Sequence, residues 1–137
     1  MKQLLSSLLF AAVLSGTGGA YAQTVYDIYP IPQRQVAGKG LVSFSKSVTV
    51  VCDAAIDAAT RRRAEQVLKD AQLECTFATE VPATGAVLYL GVNGSGEVAD
   101  LRATALNLDR SVLSKTGKYD RHILSLSDRN GSAEVVI

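Results

Sequence analysis

The most apolar segment beyond residue 22 reads Ala86-Val87-Leu88-Tyr89-Leu90-Gly91-Val92. A short, continuous apolar run bounded by turn residues is typical of a fully buried strand. Pro82 and Gly85 supply the turn signal directly before it. We therefore expect this segment to be the central strand of a sheet.

Two further strands and a helix are predicted before this segment. Residues 48–52 are β-branched and apolar on both faces, which is typical of a strand that is covered on both sides, and residues 73–79 form another strand. Between them, Asp53 or Asp57 can cap a helix that runs to about Gln72. Strand, helix and strand in this order imply a right-handed parallel crossover.

This first helix is predicted to be amphipathic. One 3.6-residue face carries Thr60, Ala64, Val67, Leu68 and Ala71. The run Arg61–Arg63 could bind a ligand, but a charge run on an amphipathic helix is usually its solvated side. We interpret the three arginines as solvated.

The second half of the chain predicts a helix and a hairpin. A helix over 97–106 would place Val98, Leu101 and Ala105 on one face, and residues 107–118 are predicted as loop. Strands over 123–127 and 133–137 flank Asp128-Arg129-Asn130-Gly131, where Asn-Gly is typical of a hairpin turn. The fold class predicted is α/β (α+β): a mixed sheet of about five strands with helices packed on it. A chain that ends inside an apolar strand also suggests a fragment, because native termini usually fray in polar residues.

The chain begins with the features of a secretory signal peptide. Lys2 precedes an apolar run from 4 to 14, and small residues lead to the A-x-A motif Ala20-Tyr21-Ala22. Cleavage is expected between Ala22 and Gln23. The apolar run is too short for a transmembrane anchor. We therefore expect a single domain over residues 23–137 in the periplasm or outside the cell, and a small β-ribbon near Gly38-Lys39-Gly40 at its start.

Charge and motifs exclude several functional classes. The net charge is +1, with 14 basic and 13 acidic residues in no one-sided block, so nucleic acid is not an expected partner. The stretch Gly91–Gly96 has the spacing G-x-x-G-x-G, which is not the dinucleotide fingerprint, and we interpret it as a surface turn. His122 is the only histidine, and neither H-E-x-x-H nor C-x-x-C occurs, so His122 is interpreted as a strand-edge residue rather than a catalytic or metal-binding one.

The carboxylates and the thiols are expected to be structural. No two acidic residues are predicted to form a pair at a strand end, as a glycosidase would need. The acidic residues predicted mostly in caps, helix faces and turns are Asp53, Asp57, Glu97, Asp100, Asp109, Asp120, Asp128 and Glu134. Cys52 would end one strand and Cys75 would begin the next, too far apart for a bridge, so we favour two buried free thiols.

Two segments resemble a known domain. Ile28-Tyr29-Pro30-Ile31-Pro32-Gln33 resembles the opening of the small domain that precedes the catalytic barrel in family 84 and family 20 N-acetylhexosaminidases. Residues 118–126, followed by Glu134-Val135-Val136-Ile137, resemble that domain's closing hairpin. The resemblance implies the N-terminal, non-catalytic domain of a secreted bacterial β-N-acetylglucosaminidase or hyaluronidase, truncated before the barrel. Related α/β domains also precede other barrels, including family 67 α-glucuronidases.

The resemblance also implies where the chemistry lies. In these families an adjacent acidic pair on the barrel assists attack by the substrate's own 2-acetamido group. No position of this chain matches that pair, so the resemblance implies no catalytic residue, cofactor or metal here. The implied partners are the catalytic barrel of the same polypeptide and, through the parent enzyme, a glycan with β-linked N-acetylglucosamine, as in glycoproteins or hyaluronan.

Two alternatives remain open. One is a stand-alone periplasmic module that binds carbohydrate or protein, for which Tyr26, Tyr29 and Tyr119 are the possible ligand-facing aromatics in a chain without tryptophan. The other is a nucleotide-binding protein built on Gly91–Gly96, which the glycine spacing disfavours.

Overall fold

The computed structural model describes residues 40–114 and 121–137, together with residues 34, 36 and 38. The predictions for the signal segment, for cleavage between Ala22 and Gln23, and for Tyr26, Tyr29 and Tyr119 lie outside these residues. No helix in the described ranges is long and apolar enough to cross a membrane.

The unit that begins at Gly40 contains five strands and two helices among its described residues. In chain order they are β1 (Ser47–Cys52), α1 (Ala58–Asp70), β2 (Glu74–Ala78), β3 (Ala86–Leu90), α2 (Val98–Ala105), β4 (Ser125–Arg129) and β5 (Ser132–Val136).

The five strands form one mixed sheet in the order β2-β1-β3-β5-β4. β1 is parallel to β2 and to β3, β3 is parallel to β5, and β4 pairs antiparallel with β5. The predicted fold class is confirmed, and so is β3 as the central strand, since all five of its residues are buried. β1 is parallel to the strand that follows α1, as the crossover predicted.

The two helices pack on opposite faces of the sheet. Leu68 of α1 packs with Val50 and Leu88 on one face. Ala99 of α2 packs with Val87 on the other. Since neighbouring residues of a strand point to opposite faces, the continuous apolar runs of β1 and β3 supply both cores at once.

Capping defines the start of α1. The Asp57 carboxylate accepts a hydrogen bond from the Thr60 amide at 2.7 Å, and that bond lowers the pKa of Asp57. Of the two cap candidates, Asp57 is therefore the cap. Near the other end, Glu65 and Lys69 form an i, i+4 ion pair at 2.8 Å.

The buried face of α1 is narrower than the sequence predicts. Leu68 is buried and Ala64 is partly buried, but Thr60 and Ala71 are exposed and Val67 is 51% exposed. The reason is geometric, because a single helix covers only part of the width of a five-stranded sheet.

The predicted packing face of α2 is wrong. The buried residues are Ala99 and Ala103, whereas Val98 and Leu101 are 36% and 61% exposed. The helix begins directly beside Gly91, where an added Cβ would lie 2.3 Å from the Ala99 Cβ. At such a close approach small side chains pack against the sheet, and the larger ones point away from it.

The closing hairpin is confirmed, with a shift of one or two residues in each strand. Asn130 (φ 53°) and Gly131 (φ 82°) form a two-residue turn, and both have the positive φ that this turn type requires. Asp128 and Arg129 therefore stay in the ladder, and β4 lies two residues later than predicted. The predicted ribbon at the start of the domain is not seen over residues 40–46, which form no strand; Lys39 lies outside the described residues.

Both cysteines are free thiols, as favoured from the sequence. Cys75 pairs with Val48, four residues before Cys52 in β1. At about 3.3 Å per residue this separation exceeds the reach of a disulfide. The thiols are half-buried rather than buried, and burial raises the pKa of each.

Candidate functional site

The carboxyl ends of β1 and β3 form a topological switch point. The chain leaves β1 through α1 for β2 on one side, while β3 lies on the other side of β1. In open α/β sheets a ligand usually binds in the crevice at such a point. Asp53 follows β1 there, and the segment Gly91–Gly96 follows β3.

Asp53 fills this crevice with its own carboxylate. It is 1% exposed, and Oδ2 accepts from the Val92 amide at 3.1 Å and the Ser95 hydroxyl at 2.9 Å. Oδ1 accepts from the Ala99 amide at 3.2 Å, near the start of α2. One side chain therefore joins β1, the turn after β3 and the beginning of the helix.

A second carboxylate binds the outer half of the same turn. Asp100 accepts from the amides of Gly94 at 3.0 Å and Gly96 at 3.1 Å, and it forms an ion pair with Arg110. The two amides, followed by the guanidinium, hold the pKa of Asp100 below its usual range. The carboxylate is therefore ionised at neutral pH.

These contacts exclude the phosphate-binding interpretation of the turn on physical grounds. A phosphate loop offers free amide groups to an anion. Here Val92, Gly94 and Gly96 already donate to carboxylates, and those charges would repel a phosphate. The interpretation of Gly91–Gly96 as a surface turn is confirmed.

A buried ion pair lies under α2. Glu134 of β5 is 1% exposed, and Arg102 donates to its two oxygens at 2.6 and 2.8 Å. The Ser127 hydroxyl donates to the same carboxylate at 3.1 Å. Burial raises the pKa of Glu134, but the hydrogen bonds and charge of Arg102 outweigh that effect, and the net pKa is lowered.

This ion pair is fitted for structure rather than for acid–base catalysis. A general acid needs a raised pKa near the working pH, whereas Glu134 is held ionised. Burial and the negative charge of Glu134 raise the pKa of Tyr89, so this phenol stays neutral. The pair ties α2 to β5.

The other face of the sheet carries an open apolar groove beside α1. Strand register places Leu88, Val135 and Leu126 in one row across this face. We call this surface the α1 groove; it is lined by Phe44, Val67, Leu68, Leu88, Val135 and Ile137.

Several of its side chains are more exposed than apolar groups in a folded core. Phe44 is 44% exposed, Val67 is 51% exposed and Ile137 is 38% exposed. Leu126, which lies in the same row of the sheet next to the groove, is 51% exposed. Arg63 stands at the rim of the groove. Contiguous exposed apolar surface of this kind marks an interaction surface.

Of the remaining sequence candidates, none gathers into a catalytic arrangement in the described ranges. His122 is exposed and lies three residues before β4, so it is not the strand-edge residue that the sequence predicts. No three of the described His, Cys, Asp and Glu side chains lie close enough together to hold a metal ion. Asp57 caps a helix, Asp53 and Asp100 bind the turn after β3, and Glu134 forms an ion pair.

The structural roles of two buried carboxylates were missed because their partners are distant in sequence. Glu134 and Arg102 are 32 residues apart, and Asp53 and Ala99 are 46 apart. The alternation of side chains along a strand could have predicted the burial of Glu134. It lies on the same face of the strand as the apolar Val136 and therefore points inward. A charged residue at an inward position requires a partner.

The sequence profile of the family described as "Glycosyl hydrolase family 20, domain 2" matches residues 25–119. Among solved structures, the chain is similar to the one titled "Structure of CpGH84D", with a TM-score of 0.64 and 26% sequence identity. The similarity covers 81% of this chain and 18% of that chain, so this chain spans less than a fifth of that structure. No curated protein matches the chain. Both similarities confirm the resemblance to a non-catalytic domain of glycoside hydrolases.

Proposed function

The chain belongs to the family described as glycosyl hydrolase family 20, domain 2, and we propose that it is the non-catalytic domain of a secreted glycoside hydrolase that packs against the catalytic barrel of the same polypeptide. The parent enzyme acts on β-linked N-acetylglucosamine in glycoproteins or hyaluronan. The barrel carries the acidic pair, and the glycan meets this domain only through the parent enzyme.

The observation that carries the proposal is the α1 groove. Its exposed valine, phenylalanine and isoleucine side chains lie on one side of a sheet whose other face is covered by α2. Covering a half-exposed apolar side chain contributes about 1 kcal/mol, half of the value for burying the whole group. Several such groups together supply the affinity of a domain interface.

The polar groups support a structural role in the same way. The carboxylates with resolved partners at the switch point and under α2 bind backbone amides or an arginine. An acid–base pair needs one carboxyl group that can hold its proton near neutral pH. Asp100 and Glu134 both have lowered pKa values.

The substrate class and the secretion of the parent enzyme rest on the resemblance and on the signal segment. The families that the chain resembles use the acetamido group of the substrate itself as the nucleophile. That route requires no organic cofactor and no metal, so none is proposed. The expected location is the periplasm or the cell exterior.

Association in trans tests the docking surface directly. The domain and the remainder of its polypeptide are produced as separate chains, and their binding is measured by calorimetry. Val67→Lys places a charge in the α1 groove and should weaken binding at least about tenfold, which corresponds to 1.4 kcal/mol.

Leu101→Lys is the matched control, because Leu101 is 61% exposed but lies on α2, at the other face of the sheet. It should leave binding unchanged. Equal effects of the two variants, or no association in trans, would count against docking through the α1 groove.

Activity assays test the assignment as non-catalytic. The isolated chain should hydrolyse no aryl N-acetylglucosaminide, and calorimetric titration with chitooligosaccharides should show no heat. Turnover by the pure chain would overturn the proposal. Heat without turnover would instead favour the stand-alone binding module.

A further inference from the structure

Two Asn-Gly dipeptides lie in exposed turns of the described structure: Asn93-Gly94 after β3 and Asn130-Gly131 in the hairpin. Asparagine is a thermolabile residue. When glycine follows, its backbone nitrogen can reach the asparagine side-chain carbonyl carbon without hindrance from a side chain. The two dipeptides are therefore the same reactive unit in two different environments.

The first dipeptide lies between a base and a cation. The Gly94 amide, which would be the nucleophile, donates to Oδ1 of Asp100 at 3.0 Å. The side-chain carbonyl oxygen of Asn93, where negative charge would develop, accepts from Arg110 at 3.3 Å. Asp100 and Arg110 also form an ion pair, so each holds the other in place.

This arrangement contains the parts of an intramolecular acyl transfer. A donor on the carbonyl oxygen stabilises the tetrahedral oxyanion, as in an oxyanion hole. A carboxylate within hydrogen-bond reach of the nucleophile can accept its proton. Adjacent residues also supply the proximity that such reactions need.

The second dipeptide lacks half of this arrangement. The Gly131 amide donates to Asp128 at 3.2 Å. In the described ranges, no side chain donates a hydrogen bond to the Asn130 side-chain carbonyl. The hairpin turn also holds Asn130 at φ 53°, between the paired residues Arg129 and Ser132. It therefore serves as an internal reference with the same dipeptide chemistry.

We propose that Asn93-Gly94 is a self-modification site, at which Arg110 and Asp100 promote cyclisation of Asn93 to a succinimide. The Gly94 nitrogen forms a bond to the Asn93 Cγ, and Arg110 stabilises the oxyanion. The amide proton passes to Asp100 and then to Nδ2, the Cγ–Nδ2 bond breaks, and ammonia leaves. Water then opens the ring at either carbonyl, which gives aspartate or isoaspartate at position 93.

The modification alters the turn that holds β3 to α2. A new carboxylate at position 93 competes with Asp100 for Arg110. The two negative charges, at position 93 and on Asp100, also repel each other. Isoaspartate also adds one carbon to the backbone of the turn whose Val92 amide binds Asp53. Both changes loosen the contact between the turn and the start of the helix.

The test is a time course of the purified chain at neutral pH and physiological temperature, followed by peptide mapping. Exchange of a side-chain NH2 for OH is quantified at positions 93 and 130 in the same sample. The ratio of the two rates should be well above one in the native protein. In urea, where both environments are lost, the ratio should approach one.

Variants separate the proposed environment from simple exposure. Arg110→Ala should slow reaction at position 93 about fivefold, on the scale of one lost hydrogen bond, and leave position 130 unchanged. Arg62→Ala is the control for loss of one exposed positive charge and should change neither rate. Circular dichroism confirms that each variant is folded.

Two results would overturn the proposal. The first is a native rate at position 130 equal to or above that at position 93. The second is a folded Arg110→Ala variant with an unchanged rate at position 93.

Discussion

Removal of Arg102 tests whether the buried ion pair holds α2 to β5. Glu134 is only 1% exposed in the present structure. Arg102→Ala removes the counter-ion of this buried carboxylate. Breaking a buried pair from one side costs about 3 to 5 kcal/mol. Since the Arg102 side chain is 34% exposed, water can reach the vacated position, and we expect the low end, about 3 kcal/mol.

The stability lost in Arg102→Ala should depend on pH, because it arises from the buried charge of Glu134. The pKa of Glu134 is lowered in the folded wild type. The ion pair therefore stabilises the fold fully above the unfolded pKa of about 4.3, and this stabilisation is lost as the pH falls through the pKa of Glu134 in the folded state. Without Arg102, burial is opposed only by the Ser127 hydrogen bond and the charge of Arg129, and we expect the pKa of Glu134 to rise above its unfolded value. The variant then loses stability as the pH rises, so the difference between the two proteins is largest at neutral pH and shrinks in acid.

Urea unfolding followed by far-ultraviolet circular dichroism measures both effects, since the chain has no tryptophan. The free energy of unfolding is compared at about pH 7, well above the ordinary pKa of a glutamate, and at about pH 4, slightly below it. Lys69→Ala, which breaks the exposed pair with Glu65, should cost only about 0.3 to 0.5 kcal/mol. A loss below about 1 kcal/mol for Arg102→Ala, or one that does not change with pH, would refute the reasoning.

Three further outcomes are expected. Gly91→Ala should lower the free energy of unfolding by at least about 2 kcal/mol, because the new Cβ would lie 2.3 Å from the Ala99 Cβ. Gly38→Ala is the control and should be neutral in the same urea titration, because no atom lies within 4 Å of its added Cβ. Asp53→Asn should lower the free energy of unfolding by about 2 kcal/mol, because the new side-chain NH2 would face a backbone N–H that now donates to a carboxylate oxygen. Asp57→Asn should change stability little, since asparagine also caps helices. The two thiols should react slowly with iodoacetamide at neutral pH in the native chain and quickly in denaturant, because burial raises their pKa values; fast native labelling would contradict this.

The features predicted well from the sequence depend on residues that are close in the chain. The Asp57 cap involves a residue three positions away, and the Asn130-Gly131 turn defines itself. The burial of β3 follows from a run of apolar residues that no exposed strand could carry. These local signals were sufficient for the mixed sheet and its central strand.

The features that were missed depend on contacts across the sheet. The packing face of α2 is set by its close approach to Gly91, and periodicity within the helix cannot show this. Likewise, Asp53 appears as one of two cap candidates in the sequence, and only the position of the turn after β3 makes it a buried acceptor. A single strongly apolar stripe was expected on α1, but the width of the sheet leaves Val67 half exposed.

The position of β5 has a consequence for how the domain is made. β5 is the last strand among the described residues, yet it lies inside the sheet, between β3 and β4. During synthesis β3 therefore has no parallel partner on this side until β5 is made, because the residues with which it pairs lie 47 positions later, as Val87 and Glu134 do. Until then β4 has no neighbour in the sheet, and the apolar edge of β3 stays open to other chains. A ribosome stalled before Ser132 would thus hold an aggregation-prone nascent chain rather than a slightly shortened domain.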